Sequence, residues 1–479
     1  MNNQTEEVTI EQKTGKGNIA ISKKSFFTSM GILFTLMIIS YILTFALPKG
    51  LYVDGIYSET NSGNLSKLKF IFAPFLQFGS EGSTTLILII GLILVIGGVF
   101  NALDKSGVMK YMLDRIVSKF KNTRYIMLAV LCLFFMIMGS TVGMYEECVP
   151  LVPIVVLLCY ALGWDAIVGL AASLLSVGLG FSAGLLNPFT VGVAQSFSSD
   201  LVMFSGLGFR LITFIIVYGI LMLFLIPYAK KIDKNPASSS VYEEDLPIKN
   251  SMKVTLDFKT EKHMDKALIW FASSLAFMVL FVLSAILIRP LTDYIMYVIV
   301  LVYLIAGIGA VIISGMSGEN IRKNVLQGVI AVLPAIAMIL IAASIKYILT
   351  EGQVLDTIIY KLVILVSKSP KGIAILLIYL VVLICNFMIP SGSAKAALIM
   401  PVIYPLVDAI GISHQTAVLA FIYGDGFSNV IFPTNPVLLI ALGLTTVSYM
   451  KWFKWSFKLQ LTILAATSVL LIIADQFIY

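Results

Sequence analysis

The sequence predicts an all-α polytopic membrane protein made of two inverted repeats, each with a re-entrant helical hairpin and a broken transmembrane helix. Three observations predict it. The 479 residues are 59% hydrophobic and 12% charged, with a mean hydropathy of +0.97, whereas a soluble domain is roughly half apolar and a quarter charged. Apolar runs near the ~20 residues that cross a bilayer core recur along the whole chain. Two of them are interrupted by polar, proline-containing stretches, "NPFT" at 187–190 and "PTNP" at 433–436.

The elements follow in order. Residues 1–25 are polar and mixed in charge, which reads as a cytoplasmic tail, and the run at 26–47 is too long for a cleaved signal. The chain goes out through 26–47 and returns through 84–103, leaving 104–124 as an amphipathic helix on the cytoplasmic surface. The runs 125–139 and 149–162 form a re-entrant hairpin with "GSTVGMYEE" at its tip. An interrupted segment then passes through "GFSAGLLNPFTVG", and 211–226 leads to the polar stretch 229–266, which reads as a flexible cytoplasmic linker. This divides a first repeat, 26–228, from a second, 267–479.

In the second half three spans, at 267–288, 294–313 and 326–348, precede the amphipathic stretch "GQVLDTIIYKLVILVSK". The first half has two, so everything after this point is inverted. The second hairpin, with tip "IPSGSAKAA", enters from outside, and the C-terminus ends outside. Basic clusters at 105–124, in the linker, at Arg322 and Lys323, and at Lys451, Lys454 and Lys458 then share the cytoplasmic face, as the positive-inside rule requires. Sequence traces agree: "GLGFS" at 178–182 recurs as "GDGFS" at 424–428, an offset of 246, while Pro153 and Gly163 match Pro401 and Gly411 at 248. A two-residue gap between these matches is therefore expected.

Helix breaks at membrane depth persist only where they line a cavity or face protein, and inverted repeats with discontinuous helices are how secondary transporters build a midplane site. Pro188, Pro433 and Pro436 remove donors, leaving helix ends suited to an anion at the N-terminus and a cation at the C-terminus. Asn187, Thr190, Thr434 and Asn435 add side-chain oxygens and amides there. With Asp425 they could hold sodium, or a substrate carboxylate. A carboxylate at bilayer depth costs about 2.5–3.5 kcal/mol on insertion scales, so Asp425, two to three turns before the second break, is expected to bind a proton, sodium or an ammonium group. The alternative is a fixed structural partner.

The hairpin tips supply the remaining candidates: Ser140, Thr141, Gly143, Glu146 and Glu147 in the first, Ser391, Gly392, Ser393 and Lys395 in the second. At the offset of 248 Glu147 corresponds to Lys395, so a carboxylate and an ammonium could face one cavity, as a receptor for a zwitterion or as a plain ion pair. Other chemistries find little support. Cys132, Cys148, Cys159 and Cys385 sit in apolar sequence as small hydrophobes, without disulfide or metal spacing. His263 and His414 lie in polar loops without the neighbours an intramembrane enzyme needs. The net charge of +7 resides in loops where it sets orientation, so no nucleic-acid partner is expected. A channel, which needs a continuous pore without alternating gates, remains the alternative to a transporter.

Five stretches, "GMYEECVPLVP", "NPFTVGVAQ", "FSGLGFR", "IPSGSAKAALIMPVIYPL" and "AVLAFIYGDGFSNVIFPTNPVL", resemble the YfcC-type members of the C4-dicarboxylate anaerobic carrier (DcuC-like) family, within the ion transporter superfamily. The resemblance runs from about residue 26 onward. It implies a multi-pass protein of the cell inner membrane, a homodimer with a scaffold and a transport domain in each protomer, and elevator-like alternating access. It also implies sodium or proton coupling without a cofactor. For the solute it implies either a basic amino acid such as arginine or ornithine, moved in exchange, or a C4-dicarboxylate.

Overall fold

The computed structural model describes residues 23–53, 56–80, 83–120, 123–251, 261–288, 291 and 294–479, so the expected tail lies almost wholly outside the described residues. Within them the apolar runs are helical, because only a helix satisfies its own backbone in lipid. Among the described residues seven helical stretches are long and apolar enough to cross a membrane. The first half holds α1 (Lys23–Ala46), α2 (Ser83–Lys105), α3 (Val108–Phe120), α4 (Arg124–Val142) and α5 (Val152–Ala161). Helix α6 runs Ala166–Leu170, through a π turn Ala171–Leu175, and on as Ser176–Ala183. After the first break α7 follows as a π turn Pro188–Gly192 continued by Val193–Ser196, then α8 (Leu207–Lys234).

A short helix α9 (Tyr242–Ser251) precedes the second half, which holds α10 (Lys262–Leu287), α11 (Ile295–Ile313), α12 (Gly318–Glu351), α13 (Leu355–Ser367), α14 (Lys371–Met388) and α15 (Gly392–Ile410). Helices α16 (His414–Gly426) and α17 (Pro436–Gly443) flank the second break, and α18 (Tyr449–Ile473) closes the chain. The amphipathic stretches of the sequence are α3 and α13. An element the sequence did not suggest is the antiparallel hairpin β1 (Gly50–Val53) and β2 (Ile56–Glu59). It docks on the start of α13, where Asp356 accepts from Tyr52 N at 2.9 Å.

Packing sorts the helices into two groups. Helices α1, α2, α10, α11 and α12 pack on one another, and α4–α8 with α14, α15, α16 and α18 form the other group, while α17 packs chiefly on α12 and bridges the two. Helices α2 and α12 meet backbone to backbone: a Cβ on Gly328 would lie 2.0 Å from Gly97 O, and Asn101 Nδ2 donates to Asn324 O at 2.7 Å. Small residues that admit such approach are the usual glue between helices in lipid.

The halves share local geometry at an offset of 248. Gly163 and Gly411 are both left-handed, Asp165 and Ser413 cap α6 and α16, and Asn187–Pro188 and Asn435–Pro436 start α7 and α17 with the same cap. The breaks therefore match at 248 without the gap that "GLGFS" and "GDGFS" suggest. A contact is exchanged as well. A Cβ on Gly178 would lie 2.3 Å from Val430 Cγ1, and one on Gly426 2.2 Å from Ser182 Oγ, where 178 and 182 correspond to 426 and 430.

The expected flexible linker is instead packed through residue 251. Residues 229–234 continue α8, and α9 places Asp245 out of solvent. Its carboxylate accepts from Tyr160 Oη at 2.7 Å, Ala166 N at 2.9 Å and Thr446 Oγ1. Asp165 beside it caps Val168 N and accepts from Tyr228 and Ser239, each at 2.6 Å. Two carboxylates thus face the N-terminus of α6, where the helix dipole favours negative charge. The polarity of this segment serves a docking contact.

Burial pushes the Asp245 carboxyl up to about 6, against the pull of its hydrogen bonds. A folded value above the unfolded one gives stability that is complete below about pH 4 and lost as pH rises through about 6. The melting temperature of the purified protein should therefore fall between about pH 4 and 7 relative to Asp245→Asn, by the equivalent of about 2–3 kcal/mol. A pH-independent difference between the two proteins would show that this carboxylate does not titrate there.

Candidate functional site

The site forms where both hairpin tips meet both breaks. Helix α4 ends at Gly143, whose φ of 74° is left-handed and whose open face lies against Asn187 Oδ1 and Phe189. A side chain here would collide with the first break, so glycine lets tip and break touch. Leu186 N donates to Ser140 O at 2.9 Å and fixes the same junction. The hydroxyls of Ser140 and Thr141 turn back to Ile137 O, so they support the helix end. Glu146 opens the turn Glu146–Leu151 and lies close enough to Asp425 for the two carboxylates to interact. Glu147 is the next residue of that turn, and its side chain lies outside the described residues.

At the second tip Gly392 does the corresponding work. A Cβ there would lie 2.9 Å from Thr190 Cγ2 and 3.1 Å from Asp425 Oδ2, so tip, first break and α16 converge on one point. Ser391 is exposed and Ser393 half-buried. The sequence had placed Asp425 two to three turns before the break, but α16 ends at Gly426 and Asp425 stands in its last turn. The break is wider than "PTNP" because Ser428 and Asn429 bond across to Asn386 rather than continuing a helix.

Lys395 and Asp425 are both fully buried, with Lys395 Nζ 2.7 Å from Asp425 Oδ1. This is an ion-pair distance, and neither oxygen of Asp425 has a hydrogen-bond partner among the described residues. Lys395 thus pairs with an acid of its own half, while the suggested approach of Glu147 to it lies outside the described residues. The ammonium also donates to Asn386 Oδ1 and, at 2.9 Å, to Ile389 O. Asn386 Nδ2 donates to Ser428 Oγ at 2.7 Å and Asn429 Oδ1 at 2.9 Å, and Asn435 Nδ2 reaches the same Asn429 oxygen at 3.0 Å. One polar chain therefore runs from the charge pair to the second break, and Tyr145 Oη joins it at Asn429 O.

The break asparagines act first as caps. Asn187 Oδ1 accepts from Phe189 N at 2.9 Å, and Asn435 Oδ1 from Val437 N at 3.0 Å and Leu438 N at 3.3 Å. Thr190 and Thr434 are different: both are buried, and neither hydroxyl has a hydrogen-bond partner among the described residues. Such orphans cost about 1–3 kcal/mol each unless a ligand or water meets them. Thr434 and Pro436 also line a cavity of about 940 Å³ whose other walls include Ile389, Pro390 and, from α12, Lys346 and Glu351. Sequence reading missed Asn386 and Tyr145. The first had a signal, a lone amide in the apolar run "YLVVLICNFMI".

Membrane-length helices, two of them broken around a buried charge pair beside a solute-sized cavity, describe a multi-pass membrane transporter. The family model for the C4-dicarboxylate anaerobic carrier, DcuC, matches residues 26–476, and the chain belongs to that family. An Escherichia coli (strain K12) protein named "Putative basic amino acid antiporter YfcC" is 29% identical over 401 residues, covering 79% of this chain and 77% of its own. An uncharacterized Haemophilus influenzae protein is 26% identical over 401 residues, covering 82% and 76%. Among solved structures, Neisseria gonorrhoeae MtrF, of a class of antimetabolite efflux pumps, superposes with a TM-score of 0.44 at 17% identity over 94% of this chain and 96% of its own. The Alcanivorax borkumensis YdaH transporter, described as having an unusual topology, gives 0.42 at 18% over 95% and 99%.

Proposed function

We propose that the protein is a secondary transporter that moves a basic amino acid across the membrane, in exchange or coupled to an ion. The observation that carries this is the surplus of acceptors at the buried site. Asp425 is neutralised by Lys395, but Glu146 adds a second carboxylate, and both Asp425 oxygens, Thr190 Oγ1 and Thr434 Oγ1 accept no hydrogen bond among the described residues. An ammonium or guanidinium group has donors only and complements such a set. The name of the Escherichia coli relative points the same way.

The mechanism we infer is elevator-like. The shared caps at an offset of 248 and the exchanged Gly178 and Gly426 contacts support two repeats, and the odd number of preceding spans makes them inverted. In this reading the α2–α12 group is the scaffold and the hairpins with the broken helices move against it. The cavity between α12 and the second tip supports this, since its volume of about 940 Å³ suits a small solute and it lies between the two groups.

The family description favours a second reading, a C4-dicarboxylate held by Lys395 and by Lys346 in the cavity wall. Thermal stabilisation separates the two, since a ligand at about 100 times its Kd adds about 2.7 kcal/mol. Arginine, ornithine and lysine should raise the melting temperature of the purified protein in a saturable way, and succinate and fumarate should not. Saturable stabilisation by the dicarboxylates alone would replace the first reading with the second.

A further inference from the structure

We infer that Lys395 is a tethered cation: its ammonium permanently fills a cation cage at the second hairpin tip, so that this half of the site takes no coupling sodium. The cage is made of oxygens from three places. Ile389 O, the carbonyl at the C-terminal end of α14, lies 2.9 Å from Nζ. Asn386 Oδ1 accepts from one turn earlier in the same helix. Asp425 Oδ1 stands at 2.7 Å from the end of α16. A helix C-terminus, an amide oxygen and a carboxylate are the ligands a hard monovalent cation would take there. The ammonium donates to two of these acceptors, Asn386 Oδ1 and Ile389 O, and meets the third, Asp425 Oδ1, as an ion pair.

The other half lacks the cage. At the offset of 248 Asn386, Ile389 and Asp425 correspond to Met138, Thr141 and Val177, and Lys395 to Glu147. The donor set and the charge that fills it therefore occur together, on one side only. The ammonium joins the tip to the break, as a bound ion would, but it cannot leave. Alternating access at this tip is then independent of an ion's arrival. The inference rests on reading the pocket as the transport site, but its test measures cation binding, so its failure leaves the choice of solute untouched.

The test is thermal melting of purified protein while sodium chloride replaces choline chloride at constant ionic strength. Lys395→Ala, purified with methylammonium present, should gain a saturable rise of several degrees with sodium or methylammonium that the wild type lacks. Adding Asp425→Asn to it should abolish the rise. A folded Lys395→Ala protein indifferent to both cations would overturn the inference. Should that variant fail to fold, Asn386→Ala decides: any sodium response of the wild type should persist in it. A saturable wild-type response that Asn386→Ala removes would show that the cage takes sodium beside the lysine, which also overturns the inference.

Discussion

Asp425→Asn should abolish transport and destabilise the protein by about 3–5 kcal/mol, the usual cost of leaving one partner of a buried ion pair alone. The structure changes what this substitution means. From sequence alone the amide is a near-isosteric probe of a free acid, but here the acid compensates a fully buried Lys395. Removing its charge leaves the ammonium with neutral oxygens only, those of Asn386, Ile389 and the new amide. Stability and function then separate in the double variant. Asp425→Asn with Lys395→Met has no uncompensated charge, and such replacements are often neutral in stability, so most of the melting temperature should return. Transport should not return, because the charge pair that joins the tip to the end of α16 is gone. If the double variant transports like the wild type, the pair is a structural filler.

Gly426→Ala is the second large effect. Its Cβ would lie 2.6 Å from Ser182 Cα as well as 2.2 Å from Ser182 Oγ, so backbone as well as side chain must yield. Overpacking of this kind costs about 1–3 kcal/mol. Here it would also part α6 from α16 beside Asp425. The uptake rate of the purified, reconstituted variant should fall by more than tenfold, together with its melting temperature. Ala at Gly91, where a Cβ meets nothing within 4 Å, is the control and should leave both unchanged. Equal behaviour of the two variants would show that the crossing of α6 and α16 does not position the site.

What the sequence revealed of the fold was what prolines and polarity mark locally. Both hairpins, both breaks and the two amphipathic helices stand near their expected positions because Pro188 and Pro436 remove donors and Asn187 and Asn435 supply caps. Contacts between distant segments were less legible. Lys395 was aligned with Glu147 by repeat offset, yet its side chain reaches Asp425, thirty residues along the chain. The polar stretch after α8 has the composition of a loose linker, and only the donors of Tyr160, Ala166 and Thr446 around Asp245 reveal it as a clasp. The β1–β2 hairpin escaped because its four-residue strands carry no strong alternation.

Counterflow in proteoliposomes tests the central claim most directly. Vesicles loaded with unlabelled arginine and diluted into a trace of labelled arginine should accumulate label transiently above equilibrium, with no ion gradient. Ornithine outside should compete and succinate should not, and Asp425→Asn vesicles should show no overshoot. Label that only equilibrates, in wild type and variant alike, or an overshoot that occurs with succinate and not with arginine, would contradict an alternating-access carrier of basic amino acids built on the Lys395–Asp425 site.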